Sequence, residues 1–176
     1  MKVSIGSKIV EGPWGGGNLF VKNLSNFLIT SGHEVIYDLA EPDIDLILLT
    51  DPRSRRESSS TFNHIEIIKY QKYVNPNVVV VQRINECDER KGTKGMNNLL
   101  KNANYVADHT VFIASWLKKL DVWRNKTEYS VILNGGDKNI FNSKKYIPWD
   151  KKEPMKLVTH HWGGNYLKGL DVYQTI

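Results

Sequence analysis

Three consecutive glycines separate an apolar run from a helical pattern near the beginning of the chain. The apolar run spans Val3 to Val10, the glycines are Gly15, Gly16 and Gly17, and the helical pattern ends at Gly32. Because glycine has no Cβ, its backbone N–H group can approach a ligand closely, and the N-terminus of a helix adds unpaired donors and a partial positive charge. The order predicts a strand, a glycine loop and a helix that bind an anion such as a phosphate or diphosphate. The alternative is a flexible surface loop.

Strand-like and helix-like segments alternate along most of the chain. Further strands are predicted at 33–39, 44–50, 78–81, within 105–113 and at 129–133. Helices are predicted at 61–74, at about 96–102 and after Ser115. Apolar strands that alternate with helices are typical of an open parallel sheet covered by helices on both faces. The predicted fold class is therefore α/β and Rossmann-like.

Two of the predicted helices carry side chains that indicate how they pack. The helix at 61–74 is expected to end at Asn75-Pro76. The side chains available for its buried face are Phe62, Ile65, Ile68, Tyr70 and Tyr73. Ser115 is expected to cap the other helix. The apolar side chains of that helix are Trp116, Leu117, Leu120 and Trp123.

Polar clusters follow three of the predicted strands, at 12–18, 83–91 and 134–137. Ligands of parallel sheets bind at the carboxyl ends of the strands, so we expect these clusters to share one cleft. In the second cluster, Glu86, Asp88 and Arg90 have the groups that bind vicinal hydroxyls of a sugar. The carboxylates also suit acid–base catalysis or a hard cation, and a run of solvated charges is the simplest alternative. The histidines and the cysteine lack the spacing of a zinc site.

A polar loop at 51–60 contains Arg53, Arg55 and Arg56 together with several serines. Its low hydrophobicity predicts a mobile, solvated segment. The alternative is that its arginines bind an anionic group.

The composition is that of an ordinary globular protein with an excess of positive charge. The chain has 176 residues, of which 40% are hydrophobic and 24% charged, and its formal net charge is +5. The single cysteine, Cys87, excludes an internal disulfide and fits a reducing compartment, and we interpret it as an incidental thiol. The sequence lacks a signal peptide and a run of about 18 apolar residues. We therefore expect a cytoplasmic location and leave open a peripheral contact with the inner face of a membrane.

A lysine-rich segment with two prolines divides the chain. It covers 142–154 and is typical of a linker, after which the pattern restarts with a strand at 155–160 and a helix from about Leu167. We expect an N-terminal domain at 1–145, a linker at 146–154 and the beginning of a second domain at 155–176. Because the pattern stops within a predicted helix, we interpret the chain as a fragment.

Several motifs occur in an order that resembles a known enzyme family. They are Gly-Gly-Gly-Asn at 15–18, Ser-Gly-His-Glu-Val at 31–35, Arg-Ile-Asn at 83–85, Ala-Asp at 107–108 before Ser115, Asn-Gly-Gly-Asp at 134–137 through Phe141, and Lys-Leu-Val-Thr-His-His-Trp at 156–162 before Lys168-Gly169. Each motif is loose alone. Their order and spacing together resemble family-4 retaining glycosyltransferases of the GT-B fold, over essentially the whole chain.

The resemblance implies two Rossmann-like domains that face a cleft. The first domain would bind mainly the acceptor, and the second mainly the nucleotide sugar. Gly15, Gly16, Gly17 and Asn18 would lie under the donor diphosphate, and Lys168 would neutralise the diphosphate as it leaves. Stabilisation by the glycines, the helix dipole and the lysine would make a metal or other cofactor unnecessary.

The resemblance also implies roles for the polar residues after the fourth predicted strand. Arg83 would lie in the catalytic pocket near the transferred sugar, together with Glu86 and Asp88. Arg90 would line the acceptor side, and Asn134 would bind the acceptor near the crossing between the domains. The implied reaction transfers a sugar, with retention, from a nucleotide diphosphate sugar to a hydroxyl of a glycan, a lipid-linked acceptor or a small molecule.

Two features depart from the family pattern. Trp162 and Gly163 stand where an arginine usually precedes Lys168. The glutamates that hold the donor in the family would follow Ile176. We therefore expect the chain to be inactive without a C-terminal half.

Two other functions fit parts of the sequence. Asp38 ends the second predicted strand at the separation expected for a ribose-binding acid, which favours an NAD(P)-dependent oxidoreductase domain. Phe20 occupies the place of the third glycine in that fingerprint and argues against it. A non-catalytic module that binds an anionic polymer is supported by the net charge and by the arginines at 51–60. We expect no nucleic-acid partner.

Overall fold

The strands and helices lie mostly in the first of two units. The computed structural model describes residues 1–12, 15–124, 128–154, 156, 158 and 169–173. The chain divides into two compact units, Met1–Leu133 and Asn134–Ile176. The strands of the first unit are β1 (Lys2–Ile5), β2 (Glu34–Ile36), β3 (Leu46–Leu49), β4 (Val79–Ile84), β5 (His109–Phe112) and β6 (Glu128–Val131). Its helices are α1 (Gly15–Thr30), α2 (His64–Tyr73), α3 (Asp88–Lys91) and α4 (Met96–Ala103), with 3₁₀ turns at Asn104–Val106 and Leu117–Lys119.

The six strands of the described chain form one sheet in the order β2-β1-β3-β4-β5-β6. Every neighbouring pair is parallel; for example, Val3 pairs with Val35 of β2 and with Leu46 of β3. Short runs of Val, Ile and Leu suit this arrangement because the central strands of a parallel sheet bury both faces. The predicted α/β, Rossmann-like class is confirmed.

Helices cover both faces of the sheet. On one face, Val21 of α1 packs with Val3, Ile5 and Leu48. Because neighbouring residues of a strand point to opposite faces, Leu49 meets the other layer of helices. In that layer, α2 and α4 bury side chains against the sheet: Ile67, Tyr70, Leu100 and Ala103. The core of the first unit therefore consists of two apolar layers, one on each side of the sheet.

The buried face of α2 differs from the predicted one. Its buried side chains are Ile67 and Tyr70, and the fully buried Phe62 precedes the helix. The prediction was wrong for three residues that point outward: Ile65, Ile68 and Tyr73, with exposed fractions of 54%, 38% and 73%. The reason is tertiary packing, because Ile67 and Tyr70 join the core beside the sheet and Tyr70 OH donates to Glu41 O at 2.7 Å. Asn63 and Glu66 form a capping box at the start of the helix.

The helix predicted after Ser115 is wrong. The described residues 113–124 form only the 3₁₀ turn Leu117–Lys119, Ser115 is exposed, and no side chain caps the turn. Trp123 lies edge-on to Phe112, with 5.2 Å between ring centroids, and its Nε1 donates to the carbonyl oxygen of Lys118 at 3.1 Å. This packing holds the segment in a tight turn where the local pattern favours a helix.

Strand β4 extends further than the valine run that predicts it. It includes Gln82 and Arg83, which the sequence places after the strand. Gln82 remains in the buried strand because its side chain is hydrogen-bonded: Nε2 donates to Leu100 O at 3.0 Å, and Oε1 accepts from Asn104 Nδ2 at 2.7 Å. The polar cluster at 83–91 therefore begins inside the sheet and continues into α3.

The second unit is exposed and irregular from Asn134 to Pro154. The short helix α5 (Leu170–Tyr173) lies inside the segment that is predicted to be helical from about Leu167. The strand predicted at 155–160 lies outside the described residues except for Lys156 and Val158. Among the described residues, no helix has the length and apolar character needed to cross a bilayer.

Candidate functional site

The described sheet has a topological switch point between β1 and β3. From β1 the chain passes to β2 on one side, and it then returns to β3 on the other side. Connections that leave neighbouring parallel strands in opposite directions open a crevice at the carboxyl ends, where ligands of such sheets bind. Short contacts join the two ends here, because Gly6 N donates to Leu48 O and Thr50 Oγ1 donates to Gly6 O, both at 3.0 Å. The connection from β1 leads into α1, so the first turn of α1 borders this β1–β3 crevice.

The glycines form the first turn of α1 and not a loop before it. The predicted position of the glycine loop was therefore wrong, because the helix already begins at Gly15. Gly15 has a φ of 41°, which favours glycine. A Cβ added to Gly16 or Gly17 would meet no atom of the rest of the described chain within 4 Å, and neither residue has a positive φ. Pro13 and Trp14, which precede this turn, lie outside the described residues.

Internal packing among the described residues therefore requires neither Gly16 nor Gly17. Each glycine makes a helix interior less stable than alanine would, by about 1 kcal/mol. What the two glycines provide is bare backbone, with N–H donors at the positive end of the helix dipole and without side chains around them. This is the arrangement that binds a phosphate at a helix N-terminus.

Asn18, the fourth residue of the turn, ties the preceding connection to α1. Its Oδ1 accepts from Val10 N at 2.9 Å, and its Nδ2 donates to Val10 O at 2.8 Å. An exposed ion pair between Glu11 and Lys22 spans the same two segments. The side chain of Asn18 thus positions the connection, and its contact with a donor diphosphate stays a prediction.

Arg83 is a nearly buried cation beside the same helix. It lies on β4, on the sheet face that α1 covers, and only 6% of its surface is exposed. Its guanidinium carbon is 3.8 Å from the ring centroid of Phe20, a cation–π contact with α1. Desolvation by burial lowers the pKa of Arg83 to about 10, so the side chain is still charged at neutral pH. The predicted catalytic-pocket arginine therefore lies under α1, on the strand that follows β3 in the sheet.

Glu86 follows β4 and belongs to a network of four charged side chains. Its Oε1 is 2.7 Å from Lys91 Nζ, and its Oε2 is 3.3 Å from Arg53 Nη2. Arg53 also grips Asp51, with Nη2 at 2.7 Å and Nε at 3.0 Å from the carboxylate oxygens. Two cations therefore hold the Glu86 carboxylate from two sides, and Arg53 joins it to Asp51.

The sequence did not indicate that Asp51 and Glu86 would share Arg53 as their partner. The available signal was its position, since Asp51 follows β3 as Glu86 follows the neighbouring β4. The hydrogen bond with Asp51 is the main cause of the raised pKa of Arg53. Arg53 was singled out for a contact with an external anion, but its guanidinium is engaged by these two carboxylates.

The loop at 51–60 makes hydrogen bonds and ion pairs with other parts of the first unit. The prediction of a solvated segment was wrong for the residues at the ends of this loop. Ser60 is fully buried, and Lys8 N donates to Ser59 O at 2.8 Å. In the middle of the loop, Arg55 Nη2 pairs with Glu66 Oε1 at 2.6 Å. The loop therefore connects the residues after β1 with the start of α2.

Asp88 has a structural role that the sequence did not indicate. Its Oδ1 accepts from Thr93 Oγ1 and Met96 N, and its Oδ2 accepts from Gly95 N and Asn97 N, at 2.8 to 3.1 Å. These bonds, with the backbone N–H of Asn97 first, lower the pKa of Asp88. The carboxylate thus caps the N-terminus of α4, and its catalytic assignment stays a prediction to which these contacts add no support.

Arg90 and Cys87 lie next to this cap. Arg90 is exposed, and its Nη1 donates to Asn85 O at 3.0 Å, which leaves the acceptor-binding assignment a prediction. Cys87 is fully buried, and burial raises the pKa of its thiol. The thiol is therefore protonated at neutral pH, in agreement with an incidental cysteine.

The structure places two of the three predicted polar clusters in the first unit and the third in the second unit. The clusters at 12–18 and 83–91 both lie at or after carboxyl ends of strands of the same sheet, and Arg83 of the second cluster contacts Phe20, which follows the first cluster on α1. The third, with Asn134, belongs to the second unit and is described apart from the crevice. Lys168 lies outside the described residues.

The described residues contain no group of three or more His, Cys, Asp or Glu side chains placed to hold a metal ion. In comparisons with known proteins, no family model, no curated protein and no solved structure matches this chain. What the fold and the geometry define is an α/β protein with a parallel sheet, and a crevice bordered by bare helix N–H groups and a buried arginine.

Proposed function

We propose that the chain contains the acceptor-side domain of a retaining glycosyltransferase that uses a nucleotide diphosphate sugar. The observation that carries the proposal is the bare first turn of α1 at the switch point of the sheet. Gly16 and Gly17 are present although no contact among the described residues requires them. A diphosphate that rests on the N–H groups of this turn gives both glycines a reason to be there.

Arg83 supports the same function. Its guanidinium carbon lies 3.8 Å from the ring centroid of Phe20 on α1, and the side chain is charged at neutral pH. When the bond between the sugar and the diphosphate breaks, negative charge develops on the leaving group. The helix dipole of α1 and the cation of Arg83 would stabilise that charge.

Glu86 would orient the acceptor in this proposal. Its carboxylate is held from two sides by Arg53 and Lys91 and would accept a hydrogen bond from a hydroxyl group of the acceptor. Arg90 and Asn134 would contribute further contacts to the acceptor.

The test is calorimetric titration of the chain with UDP and with GDP, repeated on two variants. Gly16→Ala adds a Cβ where the described chain leaves open space, so the fold should be kept or slightly stabilised. We expect the variant to bind the nucleotide at least tenfold more weakly, because the Cβ enters the space of the phosphate. Asn23→Ala, an exposed change on the same helix, is the control and should leave binding unchanged.

Unchanged affinity of Gly16→Ala would contradict the diphosphate site. An oxidoreductase domain is the second candidate, because Asp38 follows β2 beside the carboxyl end of β1, where dinucleotide folds place the acid that binds the ribose. Binding of NADH without binding of UDP or GDP, with loss of NADH affinity in Asp38→Ala, would favour this second function.

A further inference from the structure

The outward side of α2 is apolar and basic. Its exposed side chains are Ile65, Ile68, Lys69, Lys72 and Tyr73. Residues three and four positions apart lie on the same side of a helix, so these side chains form one continuous stripe, the α2 outer face. The sequence pattern predicts burial of three of them, but the helix buries Ile67 and Tyr70 and exposes these side chains.

The cations of this face have no acidic partners within the described chain. The ion pairs of the described chain involve other lysines and arginines. The ammonium group of Lys72 lies 5.0 Å from the ring centroid of Tyr73. The one acidic residue of α2, Glu66, is neutralised by Arg55 at 2.6 Å. The α2 outer face therefore carries a net positive charge.

The neighbouring 3₁₀ turn Asn104–Val106 has the same character. It packs against α2, and its Tyr105 is 69% exposed, with the guanidinium carbon of Arg124 at 5.3 Å from the ring centroid. Glu41 lies near α2, because its carbonyl oxygen accepts a hydrogen bond from Tyr70 OH. Its carboxylate is paired with Lys2 at 3.7 Å and so does not neutralise the positive charge of the α2 outer face.

We propose that the α2 outer face, together with Tyr105 and Arg124, docks the chain onto the surface of an anionic lipid bilayer. On this face the lysines lie between aliphatic and aromatic side chains, a combination that suits the interface of an anionic membrane, where apolar groups enter the bilayer and cations meet the headgroups. The aliphatic side chains favour a bilayer over a nucleic acid, because Ile65 and Ile68 can enter the acyl region but cannot stack on bases or bind phosphates. This inference does not depend on the proposed transferase activity.

The experiment is co-sedimentation of the chain with vesicles of phosphatidylcholine alone and of phosphatidylcholine mixed with phosphatidylglycerol. We expect binding to the mixed vesicles that weakens as salt is added. Lys69→Gln with Lys72→Gln should weaken binding about twenty-five-fold, because each cation near an anionic surface contributes about a factor of five. Lys144→Gln with Lys145→Gln makes the same change of charge at exposed positions of the second unit and should leave binding unchanged.

A second pair of variants tests the apolar part of the surface. Ile65→Gln with Ile68→Gln alters exposed positions and keeps good helix formers, so circular dichroism should report an unchanged fold. We expect this pair to remove sedimentation with mixed vesicles even at low salt. Equal binding to both kinds of vesicle, equal loss of binding in the Lys144 and Lys145 control, or binding of single-stranded RNA with none to vesicles would overturn the proposal.

Discussion

Arg83 is the residue at which the proposed function can be tested most directly. It lies on β4, on the sheet face that α1 covers, and it packs against Phe20 of α1. Burial disfavours its charged form, and an anion in the proposed site would favour that form.

The substitution Arg83→Met provides this test. Burial lowers the pKa of Arg83 to about 10 in the folded protein. We expect the variant to keep its fold and to lose affinity for UDP or GDP. Above pH 10, and up to the ordinary pKa of arginine, the unfolded state binds more protons, so wild-type stability should rise with pH there, which the variant should not show.

Gln82, the preceding residue, supplies the matched contrast. Gln82→Met leaves Leu100 O and Asn104 Nδ2 without their bonds to this side chain and should cost about 1–3 kcal/mol. If Arg83→Met were destabilised as strongly as Gln82→Met, the arginine would be a structural residue and its place in the anion site would lose its main support.

At the scale of an element, the N-terminus of α4 depends on the carboxylate of Asp88, which precedes the helix in the sequence. Asp88 receives four hydrogen bonds from residues 93–97 and so joins α3 to the start of α4. Gly95, the residue before the helix, has no side chain to cap it, which is why a distant carboxylate takes that part. The same bonds explain why the carboxylate is directed to the protein.

The cap of α4 predicts a dependence of stability on pH. The pKa of Asp88 is lowered in the folded state, so its contribution is complete above the unfolded pKa of 3.8 and is lost as pH falls through the folded value. We expect Asp88→Asn to have a lower Tm than wild type at neutral pH, with a difference that shrinks as pH falls below about 4. Thermal melting followed by circular dichroism measures this.

Asp121→Asn is the control for this series, because it removes an exposed carboxylate that pairs with Lys101. It should change Tm little at any pH, since exposed ion pairs contribute little. A Tm difference for Asp88→Asn that stays constant down to strongly acidic pH would show that the carboxylate charge is not what caps α4.

Some elements follow from local pattern and others do not. The strands at 44–50, 78–81 and 129–133 are found because short apolar runs bounded by polar residues have few alternatives, and the structure has a strand that overlaps each range. The prediction of a helix after Ser115 fails because Trp123 packs on Phe112, a contact that local spacing does not contain. The predicted buried face of α2 is wrong because the packing of Ile67 and Tyr70 against the core decides which side of the helix is buried.

At the scale of the whole molecule, the first unit contains the sheet and all three of its apolar clusters. Those clusters lie among residues 3–123, and the last strand ends at Val131. We expect a chain that ends at Leu133 to unfold cooperatively in urea with the midpoint of the full chain. Tryptophan fluorescence and circular dichroism should report the same transition.

A shorter chain that ends at Arg124 is the comparison. It lacks β6, whose Tyr129 packs edge-on to Phe112 at 6.0 Å and to Trp123 at 5.4 Å between ring centroids. Its midpoint should fall, because these aromatic contacts and the outer strand pairing are lost. If the urea midpoint of the chain ending at Leu133 fell as much as that of the chain ending at Arg124, the second unit would contribute to the stability of the first.

The sequence by itself determined the α/β class, the order of the strands in the first unit, and the presence of a helix up to Gly32 after the first strand. These features are encoded within windows of about ten residues, where apolar spacing, glycine and proline act on the local backbone. Only the tertiary structure decided that the glycines form the helix itself, that Arg83 lies inside the sheet, and that Glu86 meets Asp51 through Arg53. Those outcomes depend on contacts between residues far apart in the chain, which exist only once the strands have paired and the helices have packed.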